Sequence, residues 1–92
     1  MNNKSHIPAT QIKLKDKIYR KFSQEVNIHE LKWHWDEKNR VVKVLNDSTW
    51  FIQFDNKFPE KLEKGSVYYI KSGEWHRVIK GQGDLEVIIS EN

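Results

Sequence analysis

From Gln11 onward this chain never sustains an apolar period of 3.6 residues. It runs instead in short alternating or β-branched stretches, each closed by turn chemistry. Ile12 and Leu14 alternate with lysines, which predicts a first strand at a sheet edge, where lysine discourages pairing with other chains. Lys17 to Phe22 either extends that strand or makes one helical turn. Glu30 to Asp36 alternates strictly, so Leu31, Trp33 and Trp35 are expected on one face and Glu30, Lys32, His34 and Asp36 on the other. Arg40 to Leu45 is a β-branched run closed by Asn46-Asp47-Ser48, which reads as a hairpin turn. Strands are expected over Trp50 to Asp55, Val67 to Ile70, Trp75 to Ile79 and Leu85 to Ile89, with a Pro59-containing loop from Asn56 to Lys64. Turns are expected at Lys71-Ser72-Gly73 and Gly81-Gln82-Gly83. About seven or eight short strands at near-regular spacing predict an all-β sandwich or barrel. Residues 1–10, polar and interrupted by Pro8, are expected to be a flexible or loosely docked arm, and residues 11–92 a single domain.

Composition narrows the chemistry. With 92 residues the domain buries only about 60–65% of the surface of its unfolded chain. Its four Trp, three Tyr and four Phe must therefore supply much of the apolar area. The absence of cysteine removes disulfides, thiolate nucleophiles and Cys-ligated metal sites together. No apolar run is long enough to span a membrane, and the polar start Met1-Asn2-Asn3-Lys4-Ser5-His6 lacks the apolar region of a secretory signal, so a cytoplasmic protein is expected. The net charge of +3 is concentrated before residue 22, where six cations (Lys4, Lys13, Lys15, Lys17, Arg20 and Lys21) face Asp16 alone. Only Tyr19 and Phe22 interleave with them. That pattern suits a solvated amphipathic strand better than a nucleic-acid-binding face.

Two stretches carry chemistry: Trp33-His34-Trp35-Asp36, and Gly65 to His76. The second resembles the second signature motif of the cupin superfamily: Gly, five residues, Pro, one residue, Gly, two residues, His, three residues, Asn. Gly65, Gly73 and His76 match; Lys71 and Lys80 stand where the proline and asparagine would be. The first cupin motif runs His-x-His, three or four residues, Glu, then six residues to Gly. His34 fits its first histidine, while Asp36, Arg40 and Asp47 occupy the second histidine, glutamate and glycine positions. Only the seventeen residues 48–64 separate the two motifs, a short segment of the kind compact cupins have. The resemblance covers about Glu30 to Ile89 and implies a double-stranded β-helix (jelly-roll) barrel.

Cupin metal centres typically use three His and one Glu. By that resemblance His34, Asp36 and His76 are the candidate metal ligands. Two imidazoles and a carboxylate with open positions suit Fe(II) or Mn(II), and Zn(II) or Ni(II) are compatible. Arg40 cannot replace the glutamate as a ligand, because a guanidinium has no lone pair to give. It is a candidate clamp for a substrate carboxylate or phosphate; the competing reading is an ion pair with Asp36 or Glu37, which would withdraw Asp36 from a metal. Gln53 is a candidate hydrogen-bond partner for substrate if it faces the cup, and a surface residue otherwise. Glu74 reads as a general acid or base at the mouth, or as a solvated turn residue. Leu31, Trp33 and Trp35, on the far side of the strand from His34, need a cover from the N-terminal strand or a second subunit; compact cupins often pair through such faces, so the resemblance implies a homodimer.

These readings converge on a small cupin-like protein with a pocket for a divalent metal and a small anionic metabolite. Isomerase, dioxygenase and lyase chemistry remain open, because the fold hosts all of them. The alternatives are a metal-free cupin that binds a small ligand such as a sugar or nucleotide, and a protein-interaction module docking through its tryptophans.

Overall fold

The computed structural model describes residues 8–92, so most of the expected N-terminal arm lies outside the described residues. The described chain is nearly all-β. In order it forms β1 (Thr10–Leu14), β2 (Lys17–Phe22), a single 3-10 turn (Ile28–Glu30), β3 (Arg40–Val44), β4 (Phe51–Phe54), β5 (Glu60–Lys61), β6 (Val67–Ile70), β7 (His76–Ile79) and β8 (Leu85–Glu91). Five strands make one sheet in the order β1-β2-β8-β3-β6, and three make the other in the order β5-β4-β7; every pairing is antiparallel.

Period-two alternation places the core between the sheets. Along β8, Leu85, Val87 and Ile89 are buried while Glu86 and Ile88 are half-exposed on the other face. On β3, Val42 and Val44 are buried and Lys43 is exposed, and Phe22 ends β2 against the same core. The smaller sheet and its flanks answer with Trp50, Ile52 and Leu62. β1 is exposed along its whole length and forms the edge, where Lys13 sits as the sequence predicts. Lys17 to Phe22 resolves as a strand, paired on one side with β1 and on the other with β8.

Two sequence expectations are corrected. Glu30 to Asp36 is not a ladder strand: after the 3-10 turn its only pairing among the described residues is an isolated bridge between His34 and His76. Strict alternation therefore fails at its start, and Leu31 packs against the core instead of joining the tryptophans. Asn46-Asp47-Ser48 is not a hairpin turn either, since β3 and β4 belong to different sheets. It carries the chain across the sandwich and is pinned by Asn46. That side chain donates to the Asp84 carbonyl (2.8 Å) and accepts from the Glu86 amide (2.9 Å). The links β6–β7 and β7–β8 cross between sheets in the same way. In the last of these Gly81 is obligatory, because a Cβ there would collide with the Thr49 carbonyl.

A cavity of about 380 Å³ opens between the sheets. Its floor is the apolar core, including Val42, Ile52, Leu62 and Val87, and its wall carries His34, Asp36, Arg40 and His76.

Candidate metal centre

The two motif regions are laced together by backbone. The His34 amide donates to the His76 carbonyl (3.0 Å) and the His76 amide returns the bond to the His34 carbonyl (2.9 Å). The turn before β7 is tied to the loop after Asp36: the Gly73 amide donates to the Asp36 carbonyl (2.9 Å), the Ser72 amide to Asn39 Oδ1 (2.9 Å) and Ser72 Oγ to the Glu37 carbonyl (2.7 Å). Gly73 reaches that position with φ of 79°, a left-handed conformation that explains the glycine. So the partial motif is a structural device: it sets the height of His76 against His34.

Both imidazoles are oriented alike. His34 Nδ1 lies 2.9 Å from the Lys32 carbonyl and His76 Nδ1 lies 2.8 Å from the Glu74 carbonyl. A carbonyl only accepts, so each Nδ1 carries the proton and each neutral ring keeps its lone pair at Nε2. Metal-ligating histidines are typically held this way by their second nitrogen. The rings stand 4.3 Å apart between centroids, tilted by 57°. One potential ligand atom from each of His34, Asp36 and His76 falls within 4.8 Å of the others.

Asp36 divides its two oxygens. Oδ1 meets Arg40 Nη1 at 3.3 Å. Oδ2 is buried, has no hydrogen-bond partner among the described residues, and lies 3.4 Å from His76 Nε2. With His76 neutral, two lone pairs then face each other across that gap with no proton between them. An orphaned buried carboxylate oxygen is costly, and a cation is what the pair of acceptors lacks. The donor set therefore fits a divalent metal. The ion pair with Arg40 and the ligand role are compatible, because each uses a different oxygen.

Arg40 lines the cavity at the inward position of β3, but it is held from the far side. Its Nε and Nη2 each lie 2.8 Å from Glu91 Oε2, on the residue opposite it in β8. Held by two carboxylates, its guanidinium fixes Asp36 in place. Gln53 does not reach the cavity. Alternation turns Ile52 inward and Gln53 outward, where its Oε1 accepts from Arg77 Nε (3.0 Å) and Nη2 (2.9 Å) and its Nε2 donates to the Lys57 carbonyl (3.1 Å). The Arg77 guanidinium in turn stacks 4.8 Å over Trp33. Glu74 accepts from the Lys71 amide (3.1 Å) and so closes its own turn. Of the two adjacent tyrosines, Tyr68 packs against the core with its hydroxyl on the Lys61 carbonyl (2.6 Å), and Tyr69 is exposed.

Among solved structures, an RmlC-like cupin family protein with a double-stranded β-helix fold, from Methanocaldococcus jannaschii, superposes with a TM-score of 0.71 over 99% of this chain and 85% of its own, at 9% identity. The fold is that of a cupin. The DMSP lyase DddQ of Ruegeria pomeroyi matches with a TM-score of 0.71 over 83% of this chain at 10% identity, and the iron(II) form of HppE in complex with substrate with 0.66 over 91% at 14% identity. The matched region spans only 36% of the lyase and 52% of HppE. No protein-family model and no curated protein matches the sequence. Among the described residues no helix is long and apolar enough to cross a membrane.

Arg20, one of the six early cations that the sequence places on a solvated strand, is the cavity residue the sequence pattern does not reveal. It lines the same cavity from β2, where Ile18, Arg20 and Phe22 share the inward face. The spacing was visible, but its meaning depends on β2 being a strand.

Burial is the largest influence on His76, whose pKa it pushes below the ordinary histidine value of 6.5; the nearby His34 and Arg40 push the same way, against the Glu74 carbonyl and Asp36. Because the folded value is lowered, the unfolded chain holds more protons between it and 6.5. Stability is then full above 6.5 and is lost as pH falls through that window. We expect the urea midpoint of the metal-free protein to fall on going from about pH 7.5 to about pH 5, and to fall less in a His76→Gln variant. Parallel profiles for the two proteins would contradict this.

Proposed function

We propose that this chain is a small metal-dependent cupin. His34 and His76, through Nε2, and Asp36, through Oδ2, hold one divalent ion at the cavity wall. The ligand or substrate is a small anionic metabolite seated over the apolar floor. The observation that carries the reading is the Asp36 Oδ2–His76 Nε2 pair: two acceptors 3.4 Å apart, one of them buried without a hydrogen-bond partner among the described residues. Such an ion acts as a Lewis acid on a bound oxygen or on water.

The chain's own groups have definite tasks in this reading. The Lys32 and Glu74 carbonyls fix the imidazole tautomers, Arg40 and Glu91 fix the carboxylate, and the core residues exclude water from the floor. Fe(II), Mn(II), Zn(II) and Ni(II) all accept this donor set. Isomerase, dioxygenase and lyase chemistry are each compatible with it. Among the structures of the same fold, HppE is an iron(II) protein and DddQ is a lyase, so the fold accommodates a metal centre and lyase chemistry.

The test is elemental analysis of untagged protein before and after incubation with each of the four ions. Near-stoichiometric metal supports the centre. Occupancy well below one per chain with every ion overturns it, and the cavity is then a metal-free binding site.

For quaternary state we propose a homodimer, supported by Trp33 and Trp35 at 39% and 48% exposure on the outer face. A monomer by sedimentation equilibrium at about 0.1 mM would contradict it.

A further inference from the structure

Arg20 sits where an apolar side chain belongs. On β2 it shares the inward face with Ile18, which packs against the core, and Phe22, which is in it. Opposite it in the ladder is Val87, another core residue. Its one hydrogen-bond partner among the described residues is neutral: Nε donates to Gln11 Oε1 at 2.9 Å. Among the described residues no ion pair is recorded for it, whereas the neighbouring Arg40 has two carboxylate partners. A cation in such a place costs free energy unless something compensates it. Burial holds its pKa below the ordinary arginine value, and the like charge of Arg40 adds to this, with Asp36 and Glu91 opposing. A guanidinium still stays protonated there.

The charge of the cavity gives the sign of what is missing. Among the described residues its lining cations are Arg20, Lys32 and Arg40, and its acids are Glu30 and Asp36, with Glu91 behind Arg40. Those six charges balance, so a divalent ion at the metal centre leaves the cavity positive.

We propose that Arg20 is the anion-receiving side chain of this cavity, and that the ligand therefore carries a carboxylate or phosphoryl group for its guanidinium. The proposal rests on the reading of the cavity as a ligand site and adds a specificity-determining residue to it. Arg40 is committed to Asp36 and Glu91, so Arg20 is the guanidinium with donors to spare, and its planar fork matches either oxyanion in bidentate fashion. Val42, Ile52 and Leu62 on the floor favour a ligand with an apolar body.

The experiment compares wild type, Arg20→Met and Arg20→Lys, each metal-free and zinc-loaded, by calorimetric and NMR titration with succinate and with inorganic phosphate. We expect saturable binding by wild type, tighter with zinc, that moves the Arg20 Nε–Hε resonance. Arg20→Met should weaken binding at least about tenfold, the loss of one charge-assisted pair, while Arg20→Lys recovers part of it. The urea midpoint of Arg20→Met should hold or rise, because its flanks are already apolar; an arginine of purely structural role would lower it. Succinate preferred over phosphate would mark a carboxylate ligand, and the reverse a phosphoryl one. Equal affinity in wild type and Arg20→Met, or no saturation by either anion, overturns the proposal. Anion binding that depends on Arg20 in a protein that takes up no metal would instead overturn the metal centre and leave this site standing.

Discussion

Replacing Trp50 by alanine is expected to destabilise the protein by about 3–5 kcal/mol, the range for removing a buried large aromatic. Trp50 is fully buried between the sheets, with its ring 5.7 Å from that of Phe22. Its indole Nε1 donates to the Gly83 carbonyl at 2.8 Å, tying the crossing before β8 to the residue that leads into β4. A domain of this size has about 5–15 kcal/mol of stability in total, so the loss is a large fraction of it. Trp50→Phe separates the two contributions. It keeps most of the apolar contact and leaves the Gly83 carbonyl without its donor, for a loss nearer about 1–3 kcal/mol. Urea unfolding followed by circular dichroism measures both. A loss under about 1 kcal/mol for alanine would mean that the space between the sheets at Trp50 is not close-packed.

The same position shows how far sequence pattern reaches. Strands β6, β7 and β8 were legible because their apolar residues alternate and glycine-containing turns bound them. Gly65, Gly73 and His76 were legible as a partial motif, and the structure explains why those three survive without the proline and asparagine. The glycines make left-handed turns, with φ of 84° and 79°, and the histidine faces the cavity. What was not legible is sheet membership. Asn46-Asp47-Ser48 announces a change of direction, but nothing local tells a turn within one sheet from a crossing between two. That distinction lives in the long-range pairing of β3 with β6 and β8.

Side-chain direction in irregular backbone was equally hidden. His34 and Asp36 face the cavity as alternation implies, while Leu31 does not follow the rule because the 3-10 turn resets the phase. Arg20 illustrates the opposite failure. Six early cations read as a solvated basic segment, and only the register that sets Arg20 against Val87 shows one of them pointing inward. The sequence leaves Arg40 as a substrate clamp or as an ion-pair partner of Asp36 or Glu37; in the structure it pairs with Asp36 and with Glu91, and Asp36 keeps one oxygen to spare.

That spare oxygen makes Asp36→Asn the sharpest probe of the metal centre. Asparagine keeps the shape of the side chain. Its Oδ1 still accepts from Arg40, and its amide nitrogen occupies the Oδ2 position 3.4 Å from His76 Nε2. The former repulsion between two lone pairs becomes a donor facing an acceptor, and a partly buried charge is removed. The metal-free variant is therefore expected to be more stable than wild type, by about 1 kcal/mol or about 4–8 °C in Tm. Metal affinity should fall at least about 100-fold, because the anionic ligand is gone and an amide nitrogen binds no divalent ion. His34→Ala, at an exposed residue, should lose metal to a similar extent with little change in apo stability. Thermal unfolding and competition titration with a chromogenic chelator, run with and without metal, give all four quantities. A carboxylate that costs the empty fold stability and holds the metal belongs to a ligand site. If Asp36→Asn lowers apo stability and binds metal as wild type does, Asp36 serves the fold through Arg40 alone, and the metal centre falls with it.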